Sequence, residues 1–380
     1  MKKTVFIAAL AVVAMASCTK NELKVPSTGT DAVISFQPVV ANATKADYIT
    51  NSSIAPVGST SDFKFTVYAW YTDNAEMTAS TTTAKATKYM DAVVVSYKAR
   101  HDDGTPGATP GATQGQGGWS PENKYYWPKN GYLSFDAYAP SAASSDGTFS
   151  SVVETGLQIA NYTVKGIDDQ YDLLYSTRTL NKTTSTGGTN NTYDGVDIAF
   201  NHALSAIEVT AKTDNDYSGA IKLKKITILN AYNKGTFNQG MTTAVSAASP
   251  AWTAAVDSEV SYELFSGAEA LSTTALTSTT TPAIKNAILL PQDFSHTGGN
   301  KVSIRVDYTI KHGTAELPQY YVVDLSSTTG HVGSDPSASL SAWEIGKRYT
   351  YNFIFSLDEV YFAPEVAEWT NVTVDDITVK

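Results

Sequence analysis

Cysteine is almost absent from this 380-residue chain: there is one, Cys18. A single thiol excludes a disulfide framework and a cysteine-rich metal centre. Cations are scarce too. There are 27 Lys and Arg against 37 Asp and Glu, a formal net charge of −10. That balance excludes the basic patch needed to bind a phosphate backbone, so nucleic acid is not an expected partner. Beyond the N-terminus the apolar runs, such as residues 287–290, are strand-sized and too short to cross a bilayer. No window sustains an i, i+3, i+4, i+7 pattern long enough for a core helix.

What is present begins with the position of Cys18. Lys2 and Lys3 precede an apolar stretch, residues 5–15, and Ala16 and Ser17 are small residues of the kind a signal peptidase cuts beside. The run Met15-Ala16-Ser17-Cys18 reads as a bacterial lipobox. It predicts thioether lipidation of Cys18, cleavage before it, and acylation, palmitate included, of the new amino group. Several acyl chains anchor a protein stably where one does so only marginally. An ordinary secretory signal followed by a chance cysteine is the plainer alternative. The domain reading is a signal peptide over 1–17, a polar tether over 18–30, an N-terminal β-domain over 31–190 and a C-terminal β-domain over 191–380. Residues 183–193 (TTSTGGTNNTY) are low in complexity and mark the boundary.

Charged residues make up only 17% of the chain and Tyr alone numbers 22, a composition suited to exposed β-structure. Residues 32–36 read as a strand closed by Pro38, and residues 63–71 alternate as a half-buried strand. Residues 133–139 form a strand ended by Pro140. Ile221 and Leu223 alternate in one phase and Ile226 and Ile228 in the other, with a slip at Lys224-Lys225 that reads as a β-bulge. Val302 to Tyr308 alternate, and Tyr349, Tyr351, Phe353, Phe355 and Leu357 form the clearest strand. Val372 and Val374, then Ile377 and Val379, form the last, with a slip at Asp375-Asp376. The expected class is all-β, antiparallel, in two sandwiches.

Candidate chemistry is thin. The five histidines, His101, His202, His296, His312 and His331, show no ligand spacing. His202 reads as a hydrogen-bonded residue at the core edge, and His296 and His331 as solvated loop residues. Asp102-Asp103, Asp168-Asp169 and Asp214-Asn215-Asp216 lack the alternating ligand loop of a calcium site and read as turns. The Gly-rich run 104–118 leads to no helix, so it is not a phosphate loop. No nucleophile elbow or Ser/His/Asp set appears. No metal, cofactor or enzymatic activity is expected. Trp70, Trp119 and Trp127 either stack on a sugar, in a surface glycan-binding lipoprotein, or pack in the core.

Four segments resemble the fimbrillin family of Bacteroidales lipoprotein pilins. They are Tyr126-Trp127-Pro128 followed by Leu133-Ser134-Phe135-Asp136-Ala137-Tyr138-Ala139-Pro140; Phe200-Asn201-His202-Ala203-Leu204-Ser205-Ala206-Ile207-Glu208-Val209; Ala287-Ile288-Leu289-Leu290-Pro291-Gln292; and Trp343-Glu344-Ile345-Gly346-Lys347-Arg348-Tyr349-Thr350-Tyr351 with Phe362-Ala363-Pro364 and Trp369. The resemblance implies two tandem transthyretin-like β-sandwiches and a role as a fimbrial subunit at the outer membrane and cell surface: major, anchor or tip. Its partners would be other fimbrial subunits, the membrane through lipidated Cys18 in the precursor, and host or glycan ligands. It also implies assembly by strand exchange. An Arg- or Lys-specific protease would cut between Lys45 and Ala46, releasing a first strand that carries Val33, Ile34 and Phe36. A strand from the next subunit would fill the groove, the donor here being the segment of Val372, Val374, Ile377 and Val379. Lys45 as an ordinary loop lysine, and a C-terminal strand that completes its own domain as in a tip subunit, are the alternatives.

Overall fold

The computed structural model describes residues 33–40, 48–54, 62–98, 118–183, 195–214, 218–247, 249–296, 299–327, 329–332, 335–356 and 360–368. Cys18, Lys45, Ala46, Val372, Val374, Ile377 and Val379 lie outside these residues, as does the stretch 184–194 that holds the expected domain boundary.

Alternating and β-branched segments become strands. In the first half these are β1 (Phe36–Val40), β2 (Lys64–Thr72), β3 (Thr87–Lys98), β4 (Gly118–Pro121), β5 (Tyr132–Ala139), β6 (Thr148–Val152), β7 (Gly156–Thr163), β8 (Leu174–Ser176) and β9 (Thr179–Lys182). There follow β10 (Val196–His202), β11 (Ser205–Thr213), β12 (Ile221–Tyr232), β13 (Lys234–Asn238), β14 (Met241–Thr243), β15 (Ser246–Ala247), β16 (Ala251–Ala254), β17 (Glu259–Ala270) and β18 (Ala287–Leu289). The chain continues through β19 (Gln292–Asp293), β20 (Ser303–His312), β21 (Ala315–Asp324), β22 (Thr329–Val332), β23 (Asp335–Ser339), β24 (Ala342–Trp343), β25 (Lys347–Phe355) and β26 (Val360–Glu368). The described α-helix is a single turn, Asn51–Ile54. The all-β class is therefore observed.

The first sheet runs β2-β3-β4-β1-β10-β8-β5-β9, and an additional β2–β5 pairing closes it on itself. Inside the ring lies an apolar core that includes Phe36, Phe65, Phe135 and Phe200. A second core lies against the sheets β18-β11-β25-β26-β22-β23 and β17-β12-β20-β21. Between them, the sheet β16-β13-β7-β6 draws strands from both halves of the chain, β7 pairing with β13.

Several sequence expectations are met. β25 alternates in burial along its length. The phase slip at Lys224-Lys225 is a register shift between Leu223 and Lys225 against both neighbours of β12. Two expectations are corrected. Residues 64–72 are buried on both faces, because Phe65 and Val67 enter the ring while Tyr68 and Trp70 pack on the layer outside it. Pro38 does not close the first strand but lies within β1. Pairing with β4 stops at Phe36–Trp119, two residues before Pro38, so the missing N–H leaves no gap in a ladder.

In the ring sheet, β8 and β9 both pair with β5 and leave a break at Thr177-Arg178. Arg178 fills that break on the outer face, under the covering layer. Its Nε donates to Asp136 Oδ1 at 2.9 Å and its Nη2 to Oδ2 at 2.6 Å. The same guanidinium donates to the carbonyls of Val152, Val153 and Ala244. Ser151 Oγ donates to Asp136 and accepts from Trp70 Nε1. The partners come from β2, β5, the end of β6 and the residue after β14, so one buried ion pair ties the ring to the layer over it.

Candidate functional site: the groove of the first strand

β1 is held on three sides. On one flank it pairs in parallel with β10, from Phe36–Val196 to Val40–Phe200. On the other, Val33 bridges Tyr126, the Ile34 N–H donates to the Tyr125 carbonyl at 2.8 Å, and Phe36 pairs with Trp119. Beneath, Ile34, Phe36 and Val40 are buried in the ring core. The Phe36 ring meets Phe65 and Phe135 edge-on at 6.0 and 5.7 Å. Val39, in the opposite phase, is exposed. Of the residues expected in the removable strand, Ile34 and Phe36 are core residues, and Val33 forms the bridge that precedes it.

The sequence signatures acquire physical roles around this groove. Tyr126-Trp127 forms its wall, with Trp127 edge-on to Phe135 at 6.2 Å. Phe200 packs on Phe65 in the ring, whereas Leu204 is in the second core. His202, between them, is buried and lies 2.8 Å from Asp172 through Nδ1, as expected of a hydrogen-bonded structural residue. Burial pushes the Asp172 carboxyl up and the neighbouring His202 opposes that shift; the same carboxylate accepts from the Ile49 N–H at 3.1 Å. The Gln292 side chain accepts from the Tyr232 N–H and donates to the Tyr232 and Leu290 carbonyls. Gly346 takes φ +66° to turn the chain into β25, and Trp343 donates to the Tyr351 hydroxyl at 2.9 Å.

One determinant of the groove has no signal in the sequence. A Cβ on Gly195 would stand 2.4 to 2.6 Å from the Phe36 backbone, so only glycine lets β1 lie against the start of β10. Gly195→Ala should loosen β1 by about 1–3 kcal/mol, as overpacking does. Amide exchange should rise in residues 34–40 and not in β25.

Other candidates dissolve in the structure. Trp70, Trp119 and Trp127 are buried, which removes them as a sugar platform. His296 is not solvated, contrary to the sequence reading. Its ring is buried, stacks on Tyr232 at 3.7 Å and places Nδ1 3.1 Å from Glu259; the neighbouring Gly and Ser residues hid a packing role. Asp168 is an exposed ion-pair partner of Lys285. His101, Asp102 and Asp103 lie outside the described residues, as do Asn215 and Asp216. Among the described residues no group of three or more His, Cys, Asp or Glu could hold a metal ion.

The fold and groove define an all-β protein organised around a clamped N-terminal strand. The chain belongs to the fimbrillin-like family, whose model matches residues 44–369. It is similar to a solved fimbrial protein from Bacteroides vulgatus, at 17% identity over 90% of this chain and 100% of that one, with a TM-score of 0.52. It is also similar to the tip fimbrial protein Mfa3 from Porphyromonas gingivalis, solved with a C-terminal truncation, at 13% identity over 81% and 95% of the two chains, with a TM-score of 0.36. No curated protein sequence matches it.

Proposed function

We propose that this protein is a non-enzymatic fimbrial subunit that is exported as a lipoprotein through Cys18 and assembles by exchange of its first strand. In this reading the expected domains, residues 31–190 and 191–380, are two transthyretin-like sandwiches whose border is crossed by β10, which joins the ring of the first. The lipid holds the precursor at the outer membrane. Cleavage between Lys45 and Ala46 releases β1 with the anchor, and a strand from a neighbouring subunit takes its place, building a cell-surface fimbrium that contributes to adhesion.

The observation that carries the reading is the burial of β1. Removing Phe36 and Ile34 from a core costs about 3–5 and 2–5 kcal/mol respectively, comparable with the whole net stability of a domain. An emptied groove would expose aromatic core and unpaired backbone on both flanks, the condition in which an extended segment binds by strand addition. The occupant must present apolar side chains in one phase at the sites of Ile34, Phe36, Pro38 and Val40, all buried here. The family match begins at residue 44, just before Lys45 and beyond β1.

The test is to treat the purified precursor with a Lys-specific protease and follow the formation of high-molecular-weight ladders. Wild type should polymerise and Lys45→Gln should not; equal polymerisation of both, or none, contradicts the proposal. The second reading, a tip subunit, draws on the C-terminal pattern. Val372 and Val374 share one phase and Ile377 and Val379 the other, so without a bulge the segment fills only half such a groove. Deleting residues 372–380 should stop polymerisation of a stalk subunit and misfold a tip.

A further inference from the structure

The outer face of the sheet β17-β12-β20-β21 presents a second site. In β21, eight consecutive residues, 315–322, are exposed, among them Tyr320 at 63% and Val322 at 43%. The pairing explains which way they face. Ile304 and Val306 of β20 are buried, and their neighbours Arg305 and Asp307 point outward, opposite Val322 and Tyr320. The Arg305 guanidinium lies 4.6 Å from the Tyr320 ring centroid. It grips Asp307 through Nε at 3.0 Å and Nη2 at 2.6 Å. A shallow depression beside this pair is lined by Lys225, Thr227, Ser261 and their neighbours.

We propose that this face binds a neutral saccharide, with Tyr320 as the platform and the Arg305–Asp307 pair as the hydrogen-bonding edge. An exposed ring offers a flat apolar surface to the C–H face of a sugar. A fixed guanidinium–carboxylate pair beside it supplies directional donors and acceptors to hydroxyls, and Thr227 and Ser261 add more. Charge decides between neutral and anionic ligands. Lys222 and Lys224 share Glu316, Lys225 pairs with Glu263 at 2.6 Å, and Arg305 pairs with Asp307. Four cations against three carboxylates leave a net +1, with each cation engaged, so an anion would have to displace an existing partner. The edge of β21 decides against an added strand. The Lys311 N–H bonds the Ala220 carbonyl, so odd-numbered residues of β20 turn their backbone towards β12. Their β21 partners Glu316, Pro318, Tyr320 and Val322 turn theirs to the edge that pairs with no other strand among the described residues, where Pro318 has no N–H to offer. This site is independent of the β1 groove and does not rest on strand exchange.

The test is affinity electrophoresis of the surface-purified protein in native gels cast with galactomannan, laminarin or dextran, with heparin as the anionic control. At least one neutral polymer should retard the wild type. Tyr320→Ala should weaken that retention about tenfold or more, Tyr320→Phe should keep it, and Asp307→Asn should reduce it, all with unchanged thermal midpoints. No retardation by any neutral polymer, retardation by heparin alone, or full retention by Tyr320→Ala would overturn the proposal.

Discussion

Replacing Phe36 with alanine should destabilise the precursor by about 3–5 kcal/mol and leave the assembled filament unaffected. The first half follows from packing. Phe36 is buried between Phe65 and Phe135 in the ring core, with neighbours on both flanks of β1. Truncation removes the ring and leaves a cavity that paired strands cannot collapse. The second half follows from exchange. If β1 leaves before polymerisation, the filament no longer contains residue 36. Val39 is the internal control: it is in the same strand but exposed, so Val39→Ala should stay within about 0.5 kcal/mol of wild type. Denaturant titration of the precursor and thermal dissociation of purified filaments read the two halves. A filament as sensitive to Phe36→Ala as the precursor would mean that β1 is retained.

Arg178→Met should cost about 3–5 kcal/mol, because it strands a carboxylate in the interior. Asp136 is fully buried, with Ser151 left as its partner. The carbonyls of Val152, Val153 and Ala244 lose their donor as well. A buried pair is weak evidence for stability as a pair, and breaking it from one side is what costs. The double variant Asp136→Leu with Arg178→Met should therefore recover much of the loss. In thermal melts the single variant should fall by about 10 °C and the double variant by distinctly less. Equal losses in the two would show that the network matters through its contacts to the carbonyls rather than through the ion pair.

Strand content was legible wherever one face met a core and the other did not. Tyr349 to Phe355 announced β25, and a one-residue slip located the bulge in β12, because side chains alternate with period two. Asp136 was legible only as part of a strand. In β5 the second face is covered by β6 and its neighbours, so a residue that looks solvent-facing is the anchor of a buried network. Its partner Arg178 is 42 residues away, and no local pattern encodes that distance. β21 was missed for the opposite reason: both its faces are exposed, so Leu317 to Val322 carry no alternation to read. β26 was hidden by Pro364, which pairs with Tyr351 on β25. The groove was half legible. Ile34 and Phe36 show the right phase, but the close approach of Gly195 exists only once β1 and β10 are side by side.

The central claim is that the first strand leaves with the lipid anchor, and the first residue of protein sheared from the cell surface tests it most directly. Mass spectrometry of that material should find chains that begin at Ala46. Chains that all begin at an acylated Cys18 would contradict it, leaving β1 as a permanent strand and Cys18 as a permanent anchor.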